Sequence, residues 1–161
     1  MRNSRRSIAF MLLVSVFIFF SASYFLFKFW FGYPNPFVVV LSDSMKHTGE
    51  NWRKDLEMRG IDSSNLPIEG GFERGDILVI KKCELEEISI GDVIVFEAYG
   101  RRIAHRVVEI ERTGENLIFK TKGDANPESY YFEQSILPEH IQGKVIAVIP
   151  KIGNIFLLFS K

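Results

Sequence analysis

Twenty-one consecutive residues, Ser7 to Phe27, carry no charge and are dominated by Phe, Leu, Ile and Val. As a helix such a run extends about 31 Å, and a bilayer's hydrocarbon core is about 30 Å thick. A chain with this feature is not soluble and globular throughout, and residues 8–31 are expected to form a transmembrane anchor. The hydroxyls of Ser15, Ser21 and Ser23 are able to bond back to helix carbonyls. Trp30 and Tyr33 stand where an interfacial aromatic belt falls, and Lys28 is placed to snorkel outward. By the positive-inside rule Arg2, Arg5 and Arg6 set residues 1–7 in the cytoplasm, which leaves residues 37–161 on the outer face of the cell membrane. The competing reading is a cleaved signal peptide with Ser21-Ala22-Ser23 as its small-x-small site. Against it, Tyr24 to Phe31 stays apolar apart from Lys28, so cleavage there would leave an apolar stub. Pro34 and Pro36 are expected to end the helix, since residues before proline avoid the helical region.

The chain has no net charge, but residues 1–31 hold four basic residues and no acid, so the remainder carries a net −4. A mildly acidic folded part argues against a nucleic-acid partner. The single cysteine, Cys83, excludes an intramolecular disulfide and a Cys-rich metal site. His47, His105 and His140 lack the close spacing of zinc ligands, so no metal is expected. With no Gly-x-Gly-x-x-Gly and no P-loop lysine, no nucleotide cofactor is expected either.

Beyond the anchor the apolar period shortens. Runs rich in β-branched and aromatic residues occur at 37–41, 77–81, 93–96, 102–110, 117–122 and 144–149. Gly75-Asp76 and Gly91-Asp92 punctuate just before two of them, and Thr113-Gly114-Glu115-Asn116 reads as a hairpin turn. The expected domain is mainly β, a barrel or sandwich over residues 37–161, with one N-terminal transmembrane helix and a short helical insertion at about 46–71. In that insertion Thr48 is the expected cap, Trp52, Leu56 and Arg59 share a face, and Gly60 stops the helix. The apolar stretch 152–159 is too short to span a bilayer and is expected to be a last core element, in preference to a segment dipping into the membrane interface.

Nucleophilic catalysis is the chemistry these residues leave open. Ser42-Asp43-Ser44-Met45 follows directly on the strand at 37–41, and a serine on such a turn has its Oγ and its own N–H accessible. Serine needs a neighbouring base to take its proton. Alternation puts His105 on the face of Ile103 and Val107, and imidazole accepts and returns protons near neutral pH. Asp124, in Lys122-Gly123-Asp124-Ala125-Asn126-Pro127, is placed to orient a histidine or to clamp its loop. Taken singly, each has a plainer reading: an inner-face histidine is more often a core residue, and Gly-Asp more often a turn.

Taken in order behind a single anchor, these boxes resemble the type I signal peptidases, in particular the archaeal and endoplasmic-reticulum branch, over residues 8–150. The family's Ser-Gly-Ser-Met reads Ser42-Asp43-Ser44-Met45 here; its Arg-Gly-Asp box is Arg74-Gly75-Asp76; its base box, His-Arg in this branch, is His105-Arg106-Val107; its last box is Lys122-Gly123-Asp124-Ala125-Asn126. The resemblance implies a membrane-bound serine endopeptidase that removes N-terminal signal peptides from secreted precursors without a cofactor. Ser44 would be the nucleophile, His105 the base, and Ser42 a contributor to the oxyanion hole. The precursor would add as a strand beside residues 37–41, with Val38, Val40 and Leu41 lining shallow pockets for small side chains. The implied partners are secretory precursors and the lipid bilayer.

Two positions depart from the family pattern. Asp43 replaces a glycine and sets a carboxylate beside the nucleophile, and Tyr130 stands where the branch carries a second aspartate. Asp124 is therefore the favoured carboxylate for His105, with Glu128 and Glu133 as alternatives. His47 and His140 fall in no box and are expected to take no part. The departures keep open a degenerate, non-catalytic membrane protein of the same fold. A relative of the LexA and phage-repressor serine–lysine peptidases is the other alternative, although those are soluble and carry lysine where His105 stands.

Overall fold

The computed structural model describes residues 2–32, 35–114 and 116–159, with the backbone alone for 2–7, 9, 113, 116 and 159. Tyr33, Pro34 and Glu115 lie outside the described residues, as do the side chains of Arg2, Arg5 and Arg6. The chain divides into two compact units between Pro34 and Asn35.

The first unit is helix α1, Arg2–Phe31. Its segment Phe10–Phe31 is long and apolar enough to cross a membrane, and none of it is buried. Ser15 Oγ donates to the Met11 carbonyl at 2.9 Å, so this hydroxyl is satisfied within the helix. The helix stops before the prolines expected to end it. The Gly32 N–H still donates to the Lys28 carbonyl at 2.9 Å. Gly32 then takes a φ of 67°, the left-handed conformation that glycine adopts without Cβ strain just past a helix end.

The second unit is an antiparallel sheet of six strands among the described residues: β1 (Phe37–Val39), β2 (Ile77–Lys81), β3 (Val93–Ala98), β4 (Arg101–Thr113), β5 (Asn116–Lys122) and β6 (Ile141–Ile149). Their order is β1-β2-β6-β3-β4-β5. Helix α2 (Asn51–Met58) lies between β1 and β2 in the chain, and a short helix α3 (Asn154–Phe159) follows β6.

Strand β3 is central and reads Val-Ile-Val-Phe over its first four residues because both of its faces are covered. Val93 and Val95 join Val40, Met45, Leu78 and Ile80 in one core cluster. Ile94 and Phe96 join Val107, Phe119 and Ile136 in another. Neighbouring β4 inherits this parity: His105 pairs with Ile94 and Arg106 with Val93, so adjacent residues project to opposite faces. A register shift between Val107 and Glu109 leaves Val108 as an extra residue. Val108 packs instead against Trp52, Leu56, Ile61 and Leu66.

Helix α2 starts at Asn51 after Glu50, not at Thr48, and Trp52 and Leu56 form its buried stripe. Its end is built by backbone bonds: Gly60 N–H donates to Glu57 O and Ile61 N–H to Leu56 O, both at 2.9 Å, around Gly60 at φ 77°. The Ile61–Leu56 apolar contact that completes this stop is present. The C-terminal stretch differs from expectation: Ile152, Ile155, Phe156 and Leu158 are exposed rather than core.

Because Ile94 is fully buried and Ile90 is 47% exposed, Ile94→Ala is expected to lower unfolding free energy by about 2–5 kcal/mol, while Ile90→Ala stays within about 0.5 kcal/mol. Denaturant unfolding of the full chain in detergent measures both. Equal effects would contradict this placement of the core.

Candidate active site

Ser44 sits on the turn that follows β1. Met45, fully buried in the core, anchors this turn. The Met45 carbonyl accepts the Phe72 N–H at 3.0 Å, and the Ser44 carbonyl accepts the Ala125 N–H at 2.9 Å. The loop after β5 thus holds the serine turn directly. A Cβ on Gly123 would stand 2.8 Å from the Ser44 carbonyl oxygen, so glycine is what lets the two loops meet.

His105 faces this turn from mid-β4 and is 4% exposed. Its Nε2 is 2.8 Å from Ser44 Oγ. Its Nδ1 is 2.5 Å from Glu133 Oε1. A carboxylate only accepts, so Nδ1 donates and Nε2 is left to accept the serine proton. Glu133 is fully buried and held from both sides: Thr121 Oγ1 donates to Oε1 at 3.0 Å, and the Tyr130 N–H to Oε2 at 2.8 Å. Thr121 pairs with Val107, two residues from His105 on the same face. Ser42 Oγ is 3.1 Å from Ser44 Oγ.

Asp124 does not supply the carboxylate to His105. Its two oxygens take Arg106 Nε at 3.0 and 3.2 Å, Arg106 Nη2 at 2.7 Å and His47 Nε2 at 2.7 Å. The physical reason is the parity of β4. Arg106 points to the opposite face from His105, and Asp124 goes with Arg106. Burial alone pushes the Asp124 carboxyl up, but the bonds from His47 and Arg106 outweigh it and hold it below the ordinary 3.8. Asp124 therefore clamps its loop, the other role open to it.

The remaining expected residues divide. Val38 and Val40 are buried in the core cluster, because their side chains face inward from β1. Only Leu41, 66% exposed, stands in the open. The Asp43 carboxylate accepts the Arg74 N–H at 2.9 Å. Glu128 makes no hydrogen bond to His105 among the described residues. His140 lines a cavity of about 360 Å³ with Phe96, Tyr99 and Phe132, apart from Ser44. His47, expected to be idle, is bound to Asp124. Its sequence signal was nothing more than its place three residues after Ser44. Glu133 had no distinguishing spacing, and burial singles it out. Among the described residues, no group of three or more His, Cys, Asp or Glu is arranged to hold a metal ion.

The insertion is tied to this site. Lys122, 3% exposed, donates to the Asn126 carbonyl at 2.7 Å and pairs with Asp55 of α2 at 3.0 Å. Trp52 of α2 lies against both His47 and Arg106.

No protein-family model matches the chain. Over 61 residues it is 38% identical to signal peptidase I W of Bacillus subtilis (strain 168), a stretch covering 37% of this chain and 32% of that protein. Over 137 residues it is 28% identical to the signal peptidase complex catalytic subunit SEC11C of Homo sapiens, and equally to that of Mus musculus, covering 80% of this chain and 59% of those proteins. The chain thus spans between about a third and three-fifths of the length of these relatives. With the ordered boxes and the mainly β domain that follows an apolar helix, these likenesses support a relation to the type I signal peptidases.

Asp124→Asn leaves Arg106 buried without its counter-charge, and a loss of about 3–5 kcal/mol is expected in denaturant unfolding near neutral pH. The Asp124 pKa is depressed on folding, so its contribution is present above the ordinary aspartate range and disappears as pH falls through the folded value. The gap between wild type and Asp124→Asn should therefore shrink below about pH 4. A gap that ignores pH would count against the pairing.

Proposed function

We propose that the chain is a membrane-anchored serine endopeptidase that cleaves N-terminal signal peptides from secretory precursors. The run Ser44 Oγ, His105 Nε2, His105 Nδ1, Glu133 Oε1 at 2.8 and 2.5 Å carries this reading. Ser44 attacks the scissile carbonyl as His105 takes its proton. Glu133 fixes the ring with its proton on Nδ1 and stabilises the imidazolium that forms. His105 then protonates the leaving amine. The Ser44 N–H and the Ser42 hydroxyl are the oxyanion donors, and losing one such donor costs about 3–4 kcal/mol.

An extended cleavage region suits the strand ends beside the dyad. β1 is an end strand of the sheet and leads into Ser42. β5 pairs with β4 only from Arg106 onward, so residues 101–105 of β4 have β3 on one side and no strand on the other among the described residues. Backbone bonds to such an edge give affinity without demanding a sequence. The bond from Arg74 to Asp43 supports an active enzyme over a degenerate one, since it commits that carboxylate to a backbone donor. His105 supports the signal-peptidase reading over a serine–lysine peptidase. Residues 8–31 anchor the enzyme with its N-terminus in the cytoplasm and residues 37–161 outside, where precursors emerge.

Detergent-solubilised chain mixed with a precursor bearing a small-x-small site is expected to yield a mature-sized product. Ser44→Ala and His105→Ala should abolish it, and Ser42→Ala should weaken it. Glu133→Gln should lower kcat by roughly 10³- to 10⁴-fold. His105→Lys should be dead at neutral pH, because Glu133 favours a charged lysine. Product from Ser44→Ala at the wild-type rate would refute the assignment.

The orientation is tested separately. Protease added to intact protoplasts should digest residues 37–161, and their protection would overturn the topology.

A further inference from the structure

The second histidine of the site faces acceptors on both sides. His47 Nε2 is 2.7 Å from Asp124 Oδ2, and Nδ1 is 2.9 Å from the Glu69 carbonyl oxygen. Neither partner has a proton to give, so both bonds form only when the ring carries two N–H groups. The ring lies flat on Trp52, centroids 3.9 Å apart at 13°, a geometry that favours a charged ring over an aromatic face. Its side chain is 10% exposed. Gly71 makes this seat, since a Cβ there would come within 2.9 Å of His47 Cδ2.

We infer that His47 is a positioning residue that acts as an imidazolium, clamping Asp124 and so holding the Ser44 turn against the loop that follows β5. The inference rests on the proposed peptidase function for its effect on rate. The mechanical link is short. His47 lies three residues after Ser44, and Ala125, next to Asp124, donates to the Ser44 carbonyl. Asp124 itself donates its N–H to Met45 Sδ at 3.3 Å. Loss of one ring proton breaks one of the two bonds and loosens the turn from one side.

The charged groups around the ring are on several elements. Asp124 faces it from the loop after β5, with Arg106 of β4 beyond that carboxylate and near the same Trp52 ring. Arg53 of α2 lies over Trp52 at 4.6 Å and is paired with Glu50 and Glu69. Lys46, Glu73 and Asp76 line the cavity that His47 shares. Asp124 is the carboxylate that touches the ring. The two histidines of the site thus have opposite requirements: His105 works without its second proton and His47 works with it.

The full chain, labelled with ¹⁵N-histidine in detergent, has three histidines to assign, by His47→Gln and His140→Gln. At the pH of maximal cleavage the His47 ring should show both nitrogens protonated; a single-proton tautomer there overturns the inference. His47→Gln keeps one donor and does not titrate. Its kcat should fall roughly 10- to 100-fold with KM little changed. An unchanged kcat in His47→Gln, or a raised KM at unchanged kcat, overturns the inference. His47→Ala should lose more activity than His47→Gln, and if it fails to fold, the glutamine variant and the ring spectrum decide. If no precursor is cleaved at all, the proposed function fails, while the clamp still stands or falls on the ring spectrum.

Discussion

Arg106 enters the interior where the insertion, the Gly91-Asp92 turn and the loop after β5 converge, and its guanidinium reaches all three. Nη1 donates to the carbonyls of Pro67 and Gly91, while Nε and Nη2 take the Asp124 carboxylate side-on. Trp52 of the insertion lies near the same group. Burying an arginine completely costs several kcal/mol unless its donors are met, and here geometry meets them. The insertion, the Gly91-Asp92 turn and the loop after β5 are therefore tied to one cation, and the Ser44 turn is tied in turn to that loop by the Ala125 N–H. Its stabilising value is conditional on Asp124.

Two carboxylates consequently share the work that a sequence reading assigns to one. Asp124 belongs to the buried arginine and Glu133 to the histidine. Each is surrounded by the donors that suit it: a guanidinium and an imidazole for Asp124, a hydroxyl and a backbone N–H for Glu133. Their environments keep them from competing for His105, although both follow β5 within ten residues of each other.

The strands and the insertion helix were legible because period-two runs and the Trp52–Leu56 stripe are local signals. The Gly-Asp turns were legible for a physical reason as well. In each, the aspartate carboxylate accepts an N–H three residues earlier, from Glu73 to Asp76 and from Ser89 to Asp92. The faces of His105, Ile103 and Val107 followed from alternation. Partner choice did not. Which carboxylate meets His105 depends on how the chain between β5 and β6 folds back, a non-local matter that no spacing records. That Val38 and Val40 face the core cluster was not legible either, because the inward face of β1 cannot be told from its other side without the sheet order. The role of His47 depends on an insertion whose docking has no periodic signature.

The parity of β4 has a consequence for how such a chain can vary. Adjacent residues of one strand hold the proposed base and the buried cation, on opposite sides of the sheet. A single residue gained or lost between Arg101 and Arg106 would trade the two sides. An imidazole would then face the ion-pair slot, and a guanidinium would face Ser44 and Glu133. Away from His105 and Arg106, this stretch is therefore freer to change by replacement than by length. Length variation must be pushed to the hairpin tips, where Ala98 pairs with Arg101 around Tyr99-Gly100 and where Thr113 pairs with Asn116. Descendants of this chain should carry their insertions there and keep an unbroken reading frame across the strand.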